Sequence, residues 1–203
     1  MFNTKEKVER RLGTKLFLKG YRCNSPKCVT ARRPSRPGLH GQARHTLSEF
    51  GTLLNEKQKI RATYGLRETQ MRRLFESAAK NPGITGVLML QLLERRLDNV
   101  VFRLGFAASR SVARQLISHG HIKVNGRKVT IPSFLVKIKD VISIRSESSQ
   151  HPVLKDLKEQ LKKYEPPAWL TLGKEKLEGS MNGVPKDVEA PFDVNMVVDY
   201  YSK

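Results

Sequence analysis

The chain has little of what stabilises a secreted scaffold or anchors a protein in a bilayer. Two cysteines occur among 203 residues, and no apolar run approaches the length of a membrane-spanning helix. A disulfide framework is therefore not expected, and two thiols fit a reducing compartment. The apolar segment 15–19 is too short for the core of a signal peptide, so the sequence predicts a protein that stays inside the cell.

Acidic residues are also scarce. Lysine and arginine number 38 against 19 acidic residues, which gives a net charge of +19 and an isoelectric point near 10.2. Such an excess indicates a polyanionic partner, either nucleic acid or an anionic membrane surface. Residues 1–146 hold 30 basic and 9 acidic residues (net +21), whereas residues 147–203 hold 8 and 10 (net −2). We therefore expect the binding surface in the first three quarters of the chain.

Catalytic signatures are absent as well. The sequence has no phosphate-binding glycine loop, no nucleophile elbow and no His-Glu-x-x-His zinc helix. His119 and His121 flank Gly120, but two histidines make half of a metal site, and contact with nucleic acid is the interpretation we favour. We predict no cofactor and no structural metal.

The segment 95–133 carries the most information. Apolar residues recur at helical spacing before Gly105, which is a natural helix stop, and form the stripe Leu93, Leu97, Val100, Val101 and Leu104. The polar residues Arg95, Arg96, Asn99 and Arg103 fall on the opposite arc of the same helix. A cationic face opposite an apolar one suits contact with phosphates.

A second helix and a hairpin follow. Ser109 is a suitable N-cap, and Val112, Ala113, Leu116 and Ile117 share an apolar face. The other face presents Arg110, Arg114, Gln115 and Ser118, of which the two arginines are the strongest RNA-binding candidates. Asn125-Gly126 is a strong hairpin signal, and it predicts a basic hairpin that carries His119, His121, Lys123, Asn125, Arg127 and Lys128.

The remaining chain divides into an arm, a helical region and a tail. Breakers at positions 26, 34, 37, 38 and 41 predict an irregular arm over residues 1–47. Leu16, Phe17, Leu18 and Leu39 are expected to anchor it by burial. A solvated tail is the alternative to RNA contact by its polar residues, namely Lys19, Arg22, Arg32, Arg33, Arg36, His40, Gln42 and Arg44.

Two helices are expected to follow the arm, one beginning at Ser48 or Thr46 and ending at Gly65, and one running from Arg67 to Asn81-Pro82. A further helix is predicted to continue from residue 86 to 104. The basic residues of the first helix are interpreted as an exposed face that is either solvated or in contact with RNA: Lys57, Lys59 and Arg61. Trp169 follows two prolines, and we expect it to pack against a helix rather than to stack on a base.

Five ordered blocks resemble the ribosomal protein S4 family. They are 16–23 (LFLKGYRC), 33–42 (RPSRPGLHGQ), 56–65 (EKQKIRATYG), 92–105 and 167–170 (PAWL). The resemblance implies a primary binder of small-subunit ribosomal RNA in a cytoplasmic or organellar ribosome. It also implies a role in nucleating assembly of the subunit body and an influence on decoding accuracy beside ribosomal protein S5. The resemblance also implies contacts with other small-subunit proteins and with messenger RNA near the entry channel. It implies no contact with a membrane.

The same resemblance implies one departure from the family. Cys23 and Cys28 match the second half of a four-cysteine zinc knuckle that many members contain, and Glu6 and Glu9 stand where the other pair would be. Zinc accepts carboxylate oxygens, but structural zinc sites prefer thiolate and imidazole ligands. We therefore expect no structural zinc in this chain.

An α+β architecture is predicted, with a mainly helical domain, an irregular basic arm and an inserted RNA-binding module. Its parts are the arm 1–47, a helical domain 48–91 completed by 156–203, and the module 92–155, made of two helices, a basic hairpin and short strands. Two rivals are an RNA-modifying enzyme and a stand-alone RNA chaperone. Asp98 bears on the first rival, because pseudouridine synthases with a similar module use an Arg-Leu-Asp element; here we expect Asp98 to pair with Arg95 or Arg103.

Overall fold

A computed structural model of the protein describes residues 5–43, 46–148, 154, 157–185, 188 and 190–202. The chain divides into two compact units, of which the first comprises residues 1–90 and 187–203 and the second residues 91–186. The described helices are, in order, α1 (Lys5–Leu12), α2 (Val29–Arg32), α3 (Glu49–Tyr64), α4 (Glu68–Ala79), α5 (Thr85–Glu94), α6 (Leu97–Arg103), α7 (Arg110–Ser118), α8 (Leu157–Lys162) and α9 (Val194–Ser202). The strands are β1 (Ile122–Val124), β2 (Arg127–Lys128), β3 (Val141–Ile144), β4 (Leu170–Gly173) and β5 (Glu178–Met181). The predicted α+β class is confirmed.

Helices α3 and α4 of the first unit begin and end close to the predicted positions. The Ser48 hydroxyl accepts a hydrogen bond from the Gly51 amide at 3.2 Å, and Gly65 ends α3 in the left-handed conformation. Helix α9 packs along α3, where the Glu56 carboxylate accepts the Asp193 amide at 3.0 Å. The C-terminal segment therefore completes the helical unit through α9.

The arm is more ordered than its breakers predicted. It contains α1, a 3₁₀ turn at Gly20–Asn24 and α2. The Arg10 guanidinium donates to the Ser35 carbonyl at 2.9 Å, which holds the later loop against α1. Burial of the predicted anchors is only partly correct, because Leu16 is buried whereas Phe17 is 47% and Leu39 is 95% exposed.

The second unit combines α6 and α7 with a five-stranded antiparallel sheet. The strand order is β2-β1-β3-β5-β4. Asn125 and Gly126 have φ angles of +50° and +77°, and the pairs Lys123↔Lys128 and Val124↔Arg127 enclose them, as expected for a two-residue hairpin turn. The predicted hairpin is confirmed, and its apolar residues Ile122 and Val124 enter the core.

The predicted continuous helix over residues 86–104 is wrong. Helix α5 ends at Glu94 and α6 begins at Leu97, and the segment 132–136 lies alongside the break, where Leu135 forms an isolated β-bridge with Arg96. The Leu97 amide donates to the Phe134 carbonyl at 2.8 Å, and the Val136 amide donates to the Arg95 carbonyl at 2.9 Å. Because these backbone groups are satisfied by a neighbouring segment, the interruption leaves no buried donor without an acceptor.

The boundary of the second unit also differs from the predicted end of the module at residue 155. Leu157, Leu161, Trp169 and Met181 lie in the same apolar core as α6 and α7, and β5 hydrogen bonds to β3. Gly179 lies under Leu104, where a Cβ atom would meet the leucine side chain at 2.4 Å. The tail between residues 157 and 185 thus belongs to the second unit, and Trp169 is a core residue, as expected.

Candidate nucleic-acid interface

Helix α7 separates an apolar from a polar face as predicted. The Ser109 hydroxyl caps the helix by accepting the Val112 amide at 3.4 Å. Ala113, Leu116 and Ile117 are buried, whereas Gln115 and Ser118 are exposed. Arg110 and Arg114 are partly exposed on the polar side, so both cations lie at the surface of the second unit.

Asp98 connects α7 to the start of α6. The residue is 2% exposed, and its carboxylate accepts two hydrogen bonds from Arg96, at 3.1 and 3.0 Å, and two from Arg114, at 3.3 and 2.6 Å. The prediction that Asp98 pairs with Arg95 or Arg103 is therefore wrong. Its partners are Arg96, beside the helix break, and Arg114, on the next helix. The local spacing of the sequence did not indicate either pair.

A second buried carboxylate lies at the end of α5. Glu94 is fully buried. Its carboxylate accepts hydrogen bonds from Arg103 Nε and Nη2, at 3.1 and 3.2 Å, and from the side-chain amide Nδ2 of Asn99 at 2.8 Å. The Asn99 carbonyl oxygen in turn accepts from Arg110 at 2.8 Å, and the Arg110 guanidinium lies 4.6 Å from the centre of the Phe102 ring. Glu94 was missed in the sequence, because it and Arg103 lie nine positions apart.

These contacts divide the predicted RNA-binding residues of this region into two groups. The Arg96 side chain is 7% exposed and bound to Asp98, which contradicts the prediction that Arg96 faces RNA, and Asn99, on the same arc, is buried. Arg103 and Arg114 retain 25% and 37% side-chain exposure while bound to carboxylates. Arg95 is partly exposed and donates to the Val136 carbonyl at 3.0 Å. Charged hydrogen bonds of this kind fix the orientation of a guanidinium.

The hairpin extends the cationic surface beyond α7. Arg127 and Lys128 are exposed, and the Lys128 side chain crosses Gly120, where an added Cβ atom would overlap it. Lys123 is half-buried on the intervening strand. The Asn125 side chain stabilises the hairpin turn, because it donates a hydrogen bond to the Asp140 carboxylate and accepts one from the Val141 backbone amide. Helix α7 and the hairpin are therefore contiguous, and β2 carries exposed cations.

The two histidines lie beside this surface. His119 is exposed at the end of α7, and the His121 ring shares a hydrogen bond with the Ser148 hydroxyl at 2.9 Å. Their ring centres are 6.2 Å apart. Within the described ranges, no three histidine, cysteine or carboxylate side chains group as metal ligands. Contact with nucleic acid remains the prediction for both residues.

The predicted exposed cationic face of α3 is only partly correct, because Arg61 keeps 37% side-chain exposure whereas Lys57 and Lys59 are largely buried. Lys57 is buried between the carboxylate of Glu68, at 3.0 Å, and the ring of Tyr200, whose centre is 4.1 Å away. Lys59 pairs with Glu56 at 2.6 Å, and Arg61 lies 3.6 Å from Glu68. Partial burial acts to raise the pKa of Glu68, but hydrogen bonds from Tyr201 and Lys57 hold it below its usual value. These cations stabilise the helical unit.

The arm keeps most of its predicted cations at the surface. Arg32, Arg33, His40 and Gln42 are exposed, and Lys19 and Arg36 are partly exposed. Arg22 is exposed but pairs with Glu6 at 3.1 Å. The prediction for Arg44 falls outside the described residues. Because this part of the chain has few acidic neighbours, its cations can face a polyanion.

The residues for which the resemblance raised the question of a zinc knuckle are engaged in other contacts. Glu9 is 2% exposed, and one of its oxygens accepts the amides of both Leu16 and Leu18 at 3.1 Å. The Cys23 sulfur accepts the Lys19 amide at 3.3 Å, and the Cys28 sulfur is 2.9 Å from the Thr30 hydroxyl. This donor set does not fit a four-thiolate zinc site, since one carboxylate already closes the backbone turn.

Comparison with known proteins relates both units to one protein. The model of the ribosomal protein S4/S9 N-terminal domain matches residues 2–94, and that of the S4 domain matches residues 95–142. The chain is 50% identical over 196 residues to small ribosomal subunit protein uS4 of Pelotomaculum thermopropionicum, covering 96% of this chain and 94% of that protein. With the same coverage, identity is 52% to uS4 of Caldicellulosiruptor bescii and 48% to uS4A of Alkaliphilus metalliredigens. No described helix combines the length and apolar character needed to cross a bilayer.

The pair of Asp98 and Arg96 generates a prediction about stability. Asp98→Ala should destabilise the second unit by about 3–5 kcal/mol, because it leaves the Arg96 guanidinium buried without its counter-charge. The fluorescence of Trp169, the single tryptophan and a core residue of this unit, reports the unfolding in urea. Glu147→Ala, which removes an exposed partner of Arg145, is the control and should cost at most about 1 kcal/mol. Equal losses in the two variants would contradict this account of Asp98.

The cysteine contacts generate a second prediction. The hydrogen bond from Thr30 lowers the pKa of Cys28, whereas burial raises the pKa of Cys23. In pH-dependent alkylation followed by peptide mass spectrometry, Cys28 should therefore reach half-maximal reactivity at a lower pH than Cys23. Native purified protein should contain well under one zinc per chain by elemental analysis. A tightly held zinc that is lost on Cys23→Ser would show that a mixed site exists.

Proposed function

The chain belongs to the family of small ribosomal subunit protein uS4, and from this premise we propose that it is a structural component of the small ribosomal subunit that binds ribosomal RNA. The observation that carries the proposal is the cationic surface of the second unit, where α7 meets the β1–β2 hairpin. The family resemblance inferred from the five sequence blocks is confirmed.

The chemistry of that surface supports RNA as the ligand. Arg110 and Arg114 are oriented by hydrogen bonds to Asn99 and Asp98 before any ligand arrives. A guanidinium whose orientation is already fixed loses less conformational entropy when it meets a phosphate. Residues 1–146, with a net charge of +21, supply the long-range attraction to a polyanion.

The two rival functions have weaker support. An RNA-modifying enzyme needs an accessible nucleophile, and the Asp98 carboxylate is buried and bound by two arginines. A stand-alone RNA chaperone needs no match outside the module, whereas identity to uS4 proteins extends over 96% of the chain. We propose a non-enzymatic protein of the cytoplasmic ribosome.

RNA affinity tests the proposed surface. Arg127→Ala with Lys128→Ala should weaken binding to an in vitro transcript of small-subunit ribosomal RNA roughly tenfold to hundredfold and should flatten its salt dependence, because two phosphate contacts are lost. The control is Lys163→Ala with Lys176→Ala, which removes the same charge from two exposed positions of the same unit. Equal weakening in both double variants would mean that total charge alone determines affinity.

Charge reversal of Arg114 is less informative, because it would also place like charge against the buried Asp98. A wild-type affinity that hardly changes with salt concentration would contradict the proposed function as a whole, since phosphate contacts release counterions.

Family membership supports a finer proposal about assembly and decoding. We propose that the protein binds ribosomal RNA early and thereby nucleates the body of the subunit, and that its contact with ribosomal protein S5 influences accuracy. Other small-subunit proteins, and messenger RNA near the entry channel, are further proposed partners. The contact with S5 requires the assembled subunit.

Depletion of the protein should arrest the small subunit as a light precursor that lacks other body proteins, as measured by gradient sedimentation and mass spectrometry. Precursors with a complete set of the other proteins would contradict early nucleation. Surface variants that enter subunits normally but disturb the contact with S5 should change misreading in a reporter assay. An unchanged error rate across such a panel would remove the role in accuracy.

A further inference from the structure

Phe17 has an unusual backbone and an unusual degree of exposure. Its φ angle of +55° places a bulky residue in the left-handed region, which non-glycine residues with large side chains rarely occupy. The residue is nevertheless 47% exposed, although its neighbour Leu16 is buried. An aromatic side chain that is both strained and exposed does not serve the core, so its conformation needs another explanation.

The strained turn is held from inside by Glu9. One oxygen of this buried carboxylate accepts the amides on both sides of Phe17, from Leu16 and Leu18, at 3.1 Å each. Backbone amides of one turn that converge on an anion form a small concave binding site in the backbone. The carboxylate therefore fixes the turn and directs the Phe17 ring outward.

The surroundings of the ring are cationic. The Lys15 ammonium lies 4.8 Å from the centre of the Phe17 ring, and Lys19 follows two residues later. Nucleic-acid proteins bind unpaired bases by stacking them on aromatic rings beside cations that contact the backbone. A protein partner with an apolar surface would gain less from these positive charges.

We propose that Phe17 stacks on an unpaired base of ribosomal RNA and that Glu9 is the positioning residue that holds it in place. This inference rests on the proposed function, because it requires the arm to meet RNA. It assigns to Phe17 a direct contact with a nucleobase, and it assigns to Glu9 an effect on RNA affinity without contact with RNA.

The substitution Phe17→Leu tests the contact in the full-length chain. Affinity for an in vitro transcript of small-subunit ribosomal RNA should fall roughly tenfold, because a base loses its stacking partner, whereas the salt dependence should stay unchanged because no charge is removed. Phe17→Tyr keeps an aromatic ring and should restore affinity. A fully paired RNA duplex, which offers no unstacked base, should bind both variants and wild type alike.

The substitution Phe17→Gly separates function from stability. Glycine adopts a positive φ without strain, so the helical unit should be at least as stable as in wild type while RNA affinity falls. Circular dichroism during urea unfolding provides the stability measurement. Retained RNA affinity in both the glycine and the leucine variants would overturn the proposal.

A double-mutant cycle tests the part assigned to Glu9. Glu9→Ala should lower affinity without altering the salt dependence, Glu9→Gln should retain most of it, and Phe17→Leu should cause little further loss in the Glu9→Ala background. Additive losses would overturn the positioning role of Glu9.

The outcomes distinguish this inference from the function on which it depends. Steep salt dependence in wild type together with an unaffected Phe17→Leu variant would reject the stacking contact and leave the RNA-binding proposal intact. Weak, salt-independent binding by wild type would reject the RNA-binding proposal itself. Normal RNA affinity of Phe17→Leu with poor incorporation into subunits would mean that Phe17 contacts a protein, which also overturns the inference.

Discussion

Two buried carboxylates organise the second unit. Glu94 and Asp98 lie at the break between α5 and α6, and both are satisfied by arginine. A carboxylate in the interior is costly unless cations and hydrogen-bond donors surround it, and removing either partner leaves the other charge exposed to a low-dielectric environment. The position of the helix break, the packing of α7 on α6 and the orientation of the surface arginines are therefore mutually dependent.

This dependence changes how the high positive charge is interpreted. Some cations neutralise internal carboxylates, as Arg96 and Lys57 do, and stabilise the units from within. Others, such as Arg114, are partly exposed at the protein surface, where they can contact both a buried carboxylate and a phosphate of a ligand. Fewer cationic side chains are available to a ligand than the composition indicates, but hydrogen bonds fix the orientation of those that are. This arrangement favours recognition of a folded RNA over non-specific electrostatic attraction.

The arm follows the same physical rule with a different partner. Glu9 is a buried carboxylate that accepts hydrogen bonds from backbone amides instead of guanidinium groups. Closure of the turn around Phe17 therefore depends on this carboxylate.

The sequence alone determined the elements whose signals are local. Helix caps at Ser48 and Ser109, the Asn125-Gly126 turn and the apolar stripe of α6 depend on residues a few positions apart, and all are found as predicted. Tertiary structure decided which cations are exposed, because pairs such as Arg114 with Asp98 join distant positions of the chain. It also decided that α5 and α6 separate, since the segment that satisfies their backbone lies some forty residues further along.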